Sequence, residues 1–83
     1  MTYEIKIDKK AQKFILMQPK DKIKLIYKAI YNLPQGDTKV LSGHKGFYRL
    51  RTGDIRIIYT VDNGQYIICV VDAGNRGDIY KRY

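Results

Sequence analysis

The chain has 83 residues, the length of one small domain over residues 1–83 whose core is sufficient but marginal, and this leaves no room for a second domain. Hydrophobic residues make up 45% and no stretch is repetitive or of low complexity, which excludes a disordered chain and a solenoid. A formal charge of +8 favours a polyanionic partner, either nucleic acid or an acidic protein; no segment has the length of a membrane span or the apolar stretch of a leader, so a cytoplasmic location is expected.

Tyr3-Glu4-Ile5-Lys6-Ile7 alternates with period two and predicts a first strand, with Asp8 placed to cap a helix from about Lys9 to Met17. Ala11, Phe14, Ile15 and Met17 fall on one stripe of that helix, and Pro19 both ends it and opens a second. The second helix runs to about Leu33: Ile23, Ile26, Tyr27, Ile30 and Leu33 recur at spacings of three and four, with Lys20, Lys22, Lys24 and Lys28 on the outer side. The two helices form a hairpin. Pro34-Gln35-Gly36-Asp37 reads as a turn, and Ser42-Gly43-His44-Lys45-Gly46 as a loop before three apolar strands.

A two-residue turn at Thr52-Gly53 would pair Arg51 with Asp54, Leu50 with Ile55 and Arg49 with Arg56. Like charges directly opposed in a sheet are unfavourable, so two facing guanidinium groups suggest an anion between them, and phosphate suits the planar arginine fork. Asn63-Gly64 is a strong type I′ signal and would set Arg56 opposite Val71. One face then carries Arg49, Arg51, Arg56, Ile58, Thr60, Ile67, Cys69 and Val71. The other carries Tyr48, Leu50, Ile55, Ile57, Tyr59, Val61, Ile68 and Val70, and is the core that receives the helical hairpin. A one-residue slip would exchange the faces. The fold class expected is α+β: one N-terminal strand, a helical hairpin, an antiparallel three-stranded β-meander and a short C-terminal segment.

All five arginines lie in the second half, whereas nine of the eleven lysines precede Val40; helix lysines usually form a solvated face, while arginines on strands and beside turns fix oxyanions. Cys69, inside an apolar run, reads as a small buried hydrophobe, and His44 as a solvent-exposed loop residue. One histidine and one cysteine cannot build a zinc site, the glycines are too scattered for a phosphate loop, and the acidic residues stand singly. No cofactor or metal is expected. An enzyme built on this chain would work with cations and a phenol.

Leu41-Ser42-Gly43, the stretch Phe47-Tyr48-Arg49-Leu50-Arg51-Thr52-Gly53-Asp54-Ile55-Arg56-Ile57-Ile58-Tyr59 and the segment Val70-Val71-Asp72-Ala73-Gly74-Asn75-Arg76-Gly77-Asp78-Ile79-Tyr80 together resemble the RelE/ParE superfamily of type II toxins. The likeness covers essentially the whole chain and is closer to the RelE branch. It implies a metal-independent endoribonuclease, an mRNA interferase acting in the ribosomal A site, in which the substrate's 2′-hydroxyl attacks the adjacent phosphate. Arginines would stabilise the charge that builds on the phosphorane.

By this resemblance Arg49, Arg56, Arg76 and Tyr80 are the catalytic residues, and Lys45, Arg51, Lys81 and Arg82 contact RNA. Arg51 is an alternative match to the basic strand positions, or is held by Asp54 in a structural ion pair. Tyr80 would stack on a base or serve as general base, the latter only with cations nearby to ionise a phenol whose usual pKa is about 10; otherwise it anchors the tail on the sheet. Asp78 is placed to salt-bridge Arg76. Asn75 stands where some relatives carry histidine or lysine, so a histidine mechanism does not transfer, and the longer C-terminal helix of some RelE-type members is absent after Tyr83.

Two other functions fit the sequence: a ParE-like inhibitor of DNA gyrase, which needs neither the tyrosine nor a basic cleft, and a catalytically silent binding module. The toxin readings imply a cognate antitoxin, acidic and flexible.

Overall fold

The computed structural model describes residues 2–83, and its first elements follow from local features of the chain. The alternating start forms β1 (Glu4–Ile7), and the Asp8 carboxylate then accepts the Lys9 N–H at 2.9 Å to open α1 (Lys9–Leu16). Pro19 precedes α2 (Lys20–Tyr31), where a proline's missing N–H costs nothing. Then come β2 (Thr38–Val40), β3 (Phe47–Thr52), β4 (Ile55–Asp62), β5 (Ile67–Asn75) and α3 (Arg76–Arg82). The sheet order is β1-β5-β4-β3-β2, with β1 parallel to β5 and the remaining pairs antiparallel.

The α+β class, the helical hairpin and the β3-β4-β5 meander stand as expected, with β2 added at one edge and the short C-terminal segment formed by α3. Ala11, Ile15, Ile26 and Ile30 from the helices pack on Leu50, Ile55, Ile57, Tyr59, Ile68 and Val70, with Tyr48 and Val61 at the margin. Those are the sheet positions that alternation assigned to the core. Ile15, Ile30, Ile57 and Ile68 are fully buried, and each such side chain contributes roughly 1.5–3 kcal/mol. A second, smaller cluster of Leu41, Ile58 and Ile79 lies on the opposite face and seats α3 there.

The registers differ from expectation. Thr52 pairs with Ile55, Arg51 with Arg56, Leu50 with Ile57 and Arg49 with Ile58, so the turn is Gly53-Asp54 rather than Thr52-Gly53. Gly53 has φ +59° while Asp54 is not left-handed, the pattern of a II′ turn, which wants glycine first. Between β4 and β5 the connection is a four-residue loop rather than a tight Asn63-Gly64 turn: Asp62 pairs with Ile67, its carboxylate accepts the Gln65 N–H at 3.1 Å, and Tyr66 takes φ +56°. The Asp62 cap makes the longer loop competitive with the type I′ turn.

A bulge between Tyr59↔Val70 and Ile58↔Asp72 then leaves Val71 unpaired, so Arg56 lies opposite Gly74, not Val71. The bulge also turns Asp72 out of the helix-covered core, where strict alternation from Val70 would have put a carboxylate. Cys69, expected to be buried, is half-buried on the arginine face opposite Thr60. No helix among the described residues is long and apolar enough to cross a membrane.

Candidate active site

Two rows of directly paired residues run across the face away from the helical hairpin. Lys39, Arg49, Ile58 and Asp72 form one, and Arg51, Arg56 and Gly74 form the next. The opposed pair of guanidinium groups is therefore Arg51 with Arg56, and Arg49 stands opposite Lys39 on its other side. Both pairings set like charges face to face, which a sheet tolerates poorly without an anion.

Over these rows lies α3. Its first N–H, from Arg76, donates to the Asp54 carbonyl at 2.9 Å, and Ile79 is fully buried in the second cluster. Arg76 and Tyr80, one turn apart, share the flank of the helix that overlooks the strands. Gly74 permits the close approach, because a Cβ there would sit 3.2 Å from Arg82 Nη2 and 3.3 Å from Ile79 Cδ1. The result is a cavity of about 280 Å³ lined by Arg49, Arg51, Arg56, Arg76 and Tyr80.

Arg56 forms the floor. It is 6% exposed; its Nη1 donates to the Gly53 and Ile55 carbonyls at 2.8 and 3.1 Å, and its buried Nε has no acceptor. The turn thus fixes this guanidinium before any ligand arrives. Asp37, in the segment before β2, is the one acidic residue among the described residues that pairs with the cavity's arginines: its Oδ2 accepts Arg51 Nε at 2.6 Å and its Oδ1 lies 4.0 Å from Arg49 Nη1. The hydrogen bond from Arg51 is the main reason its carboxyl is held below the usual aspartate range. The four arginine charges outnumber the one carboxylate paired with them among the described residues, so the cavity is strongly positive. Such an array can bind an oxyanion and stabilise added charge on it without reorganising.

The tail is locked by Asp72. Burial pushes its carboxyl up, but Arg82, the Ala73 N–H and Tyr83 together pull it below its ordinary value. Arg82 Nε and Nη2 each donate at 3.1 Å, the Tyr83 hydroxyl donates at 3.1 Å, and Lys10 Nζ lies 3.5 Å away. Tyr83 in turn meets His44 edge to face at 5.3 Å, so His44 is half-buried rather than solvent-exposed.

Of the residues singled out from sequence, Arg49, Arg51, Arg56, Arg76 and Tyr80 come together. Arg82 does not: its guanidinium is engaged with Asp72. Lys81 and Lys45 are exposed and do not line the cavity. Arg51 is held by Asp37, and Asp54 instead lies 3.5 Å from Lys22. Asp78 makes no ion pair with Arg76 among the described residues. Sequence reasoning missed Asp37 and Asp72. Asp37 required β2, three residues too short to read; Asp72 carried a signal, an acid within an apolar run. Among the described residues no three His, Cys, Asp or Glu side chains gather as a metal site would need.

The same architecture occurs in solved structures of RelE-type toxins. The archaeal RelE–RelB complex from Pyrococcus horikoshii is 30% identical with a TM-score of 0.76, covering 93% of this chain and 98% of that one. The RelB–RelE complex from Methanococcus jannaschii is 25% identical at 0.68, covering 94% and 98%. The isolated E. coli RelE toxin, at 18% identity and 0.75, shares the fold over 98% of this chain and 94% of that one. No curated protein sequence matched the chain. The family profile for the ParE toxin of type II toxin–antitoxin systems, parDE, matches residues 5–80, and the chain belongs to that family, within the RelE/ParE superfamily of toxins.

Proposed function

We propose that the protein is a ribosome-dependent mRNA endonuclease whose arginine cavity holds the scissile phosphate of a message in the ribosomal A site. The observation that carries this reading is the meeting of four guanidinium groups and one phenol around a single cavity. The 2′-oxygen forms a bond to phosphorus while the bond from phosphorus to the 5′-oxygen breaks, giving a 2′,3′-cyclic phosphate and a 5′-hydroxyl. The 2′-hydroxyl proton leaves to a base, and a proton is delivered to the departing oxygen. Arg56, fixed by the turn carbonyls, and Arg49 hold the equatorial oxygens; Arg76, on the helix side, neutralises the leaving oxygen. Tyr80 at the rim stacks on a base or takes the 2′ proton.

Primer extension on messages from cells expressing the protein tests this directly. Site-specific cuts that vanish in an Arg76→Ala variant are expected, and cuts that persist would remove Arg76 from the mechanism. The family's name favours a second reading, gyrase inhibition of the ParE kind. Growth arrest with intact messages, unchanged by Tyr80→Phe, would decide for it. On either reading the cytoplasmic partner that restrains the toxin is an acidic, flexible antitoxin, steered by the +8 charge.

A further inference from the structure

Beside the arginine cavity, and sharing Arg49 and Tyr80 with it, is a second cavity of about 240 Å³. Its own walls are Lys39, Ser42 and Tyr83, with Leu41 and Val40. Its chemistry differs from its neighbour's. Only one lysine enters it besides the shared Arg49, and the remaining surface is aromatic, aliphatic and hydroxyl. That is a poor second phosphate site. It suits a flat heterocycle with hydrogen-bonding edges, since single-stranded RNA is held by stacking bases on aromatic rings and by donors at their edges.

One wall is fixed in advance. Tyr83 is held at its hydroxyl by the buried carboxylate of Asp72 and at its ring by His44. Lys39 lies directly opposite Arg49 on β2 and so projects on the same face. Tyr80, 45% exposed, lines both cavities.

We propose that this second cavity is a nucleobase pocket, taking one of the bases that flank the phosphate seated among the arginines. The proposal rests on the nuclease reading for the identity of that phosphate. Lys39 and Ser42 meet the base edge and thereby select among bases, while Tyr80 and Tyr83 supply sequence-tolerant stacking. The tail lock on Asp72 is then a positioning device, since it holds Tyr83 as a wall.

The test uses the full chain and two probes that cannot be cleaved, inorganic phosphate and a 2′-O-methyl dinucleoside monophosphate, titrated while backbone amide signals are followed by NMR. The dinucleotide should bind at least about tenfold more tightly than phosphate, as a stacked base would provide, and should move the signals of Lys39, Ser42 and Tyr83 as well as those of the arginines. Ser42→Trp, which fills the cavity from an exposed loop, should reduce dinucleotide affinity to that of phosphate and leave phosphate binding unchanged. Lys39→Ala, on the exposed edge strand, should narrow the difference in affinity among dinucleotides of different base. If the dinucleotide moves only the arginine signals, or binds equally well to Ser42→Trp, the nucleobase pocket is wrong while the phosphate site stands. If neither probe reaches the arginines, the pocket and the nuclease reading fall together.

Discussion

Asp37 is the carboxylate that tempers the positive charge of the site. It neutralises one of four positive charges and holds Arg51 at 2.6 Å, on the open side of the cavity. Replacing it with asparagine keeps the shape and removes the charge. Asp37→Asn should therefore raise affinity for short single-stranded RNA several-fold at low salt and steepen its salt dependence, as fluorescence anisotropy at two ionic strengths would report. An unchanged salt slope would mean that Arg51 does not reach the RNA. Arg56 behaves differently, because its Nη1 donates to the turn carbonyls of Gly53 and Ile55 as well as facing the cavity. Arg56→Met should cost about 1–3 kcal/mol of stability in urea unfolding, so loss of toxicity in that variant does not by itself assign Arg56 a role toward a ligand.

The elements were legible where the signal is periodic and illegible where it is a choice between near-equal turns. Alternation placed Leu50, Ile57, Tyr59 and Ile68 on the core and Arg49, Arg51 and Arg56 on the other face, and the structure agrees. Both registers nevertheless differ. Moving the first turn to Gly53-Asp54 re-pairs the strands by two residues, which preserves every facing but exchanges Arg49 for Arg51 opposite Arg56. The second mismatch combines a longer loop with the bulge at Val71, and the only hint of that bulge in the sequence is the improbability of an aspartate in the core. The cavity's other half depends on α3 resting on Gly74. Gly74→Ala should loosen α3, because the ends of Arg82 and Ile79 must give by a few tenths of an ångström, and this should appear as faster hydrogen exchange confined to residues 76–82 while the helical hairpin stays folded.

Acid stability is a property of the whole molecule, and Asp72 contributes to it. In the unfolded chain its carboxyl titrates near the ordinary aspartate value of 3.8, and in the folded protein it titrates lower. The unfolded chain therefore binds more protons across that interval, and the contribution of Asp72, fully present above about pH 4–5, is lost as pH falls through its folded value. Urea midpoints measured downward from about pH 6 should drop steeply below pH 4, and Asp72→Asn should begin lower and fall less. Equal slopes in the two proteins would assign the acid loss to other carboxylates, Asp37 among them.

The unpaired Val71 divides one strand between two tasks. Residues 67–70 run beside β1 and share its core, whereas residues 72–75 carry the buried carboxylate, the glycine under α3 and the approach to Arg76. A backbone irregularity at that border lets the second stretch twist and re-aim without disturbing the first. The two halves of β5 therefore carry different burdens: changes in the first disturb its pairing with β1 and the core, whereas changes in the second also disturb the seat of α3 over the arginine cavity.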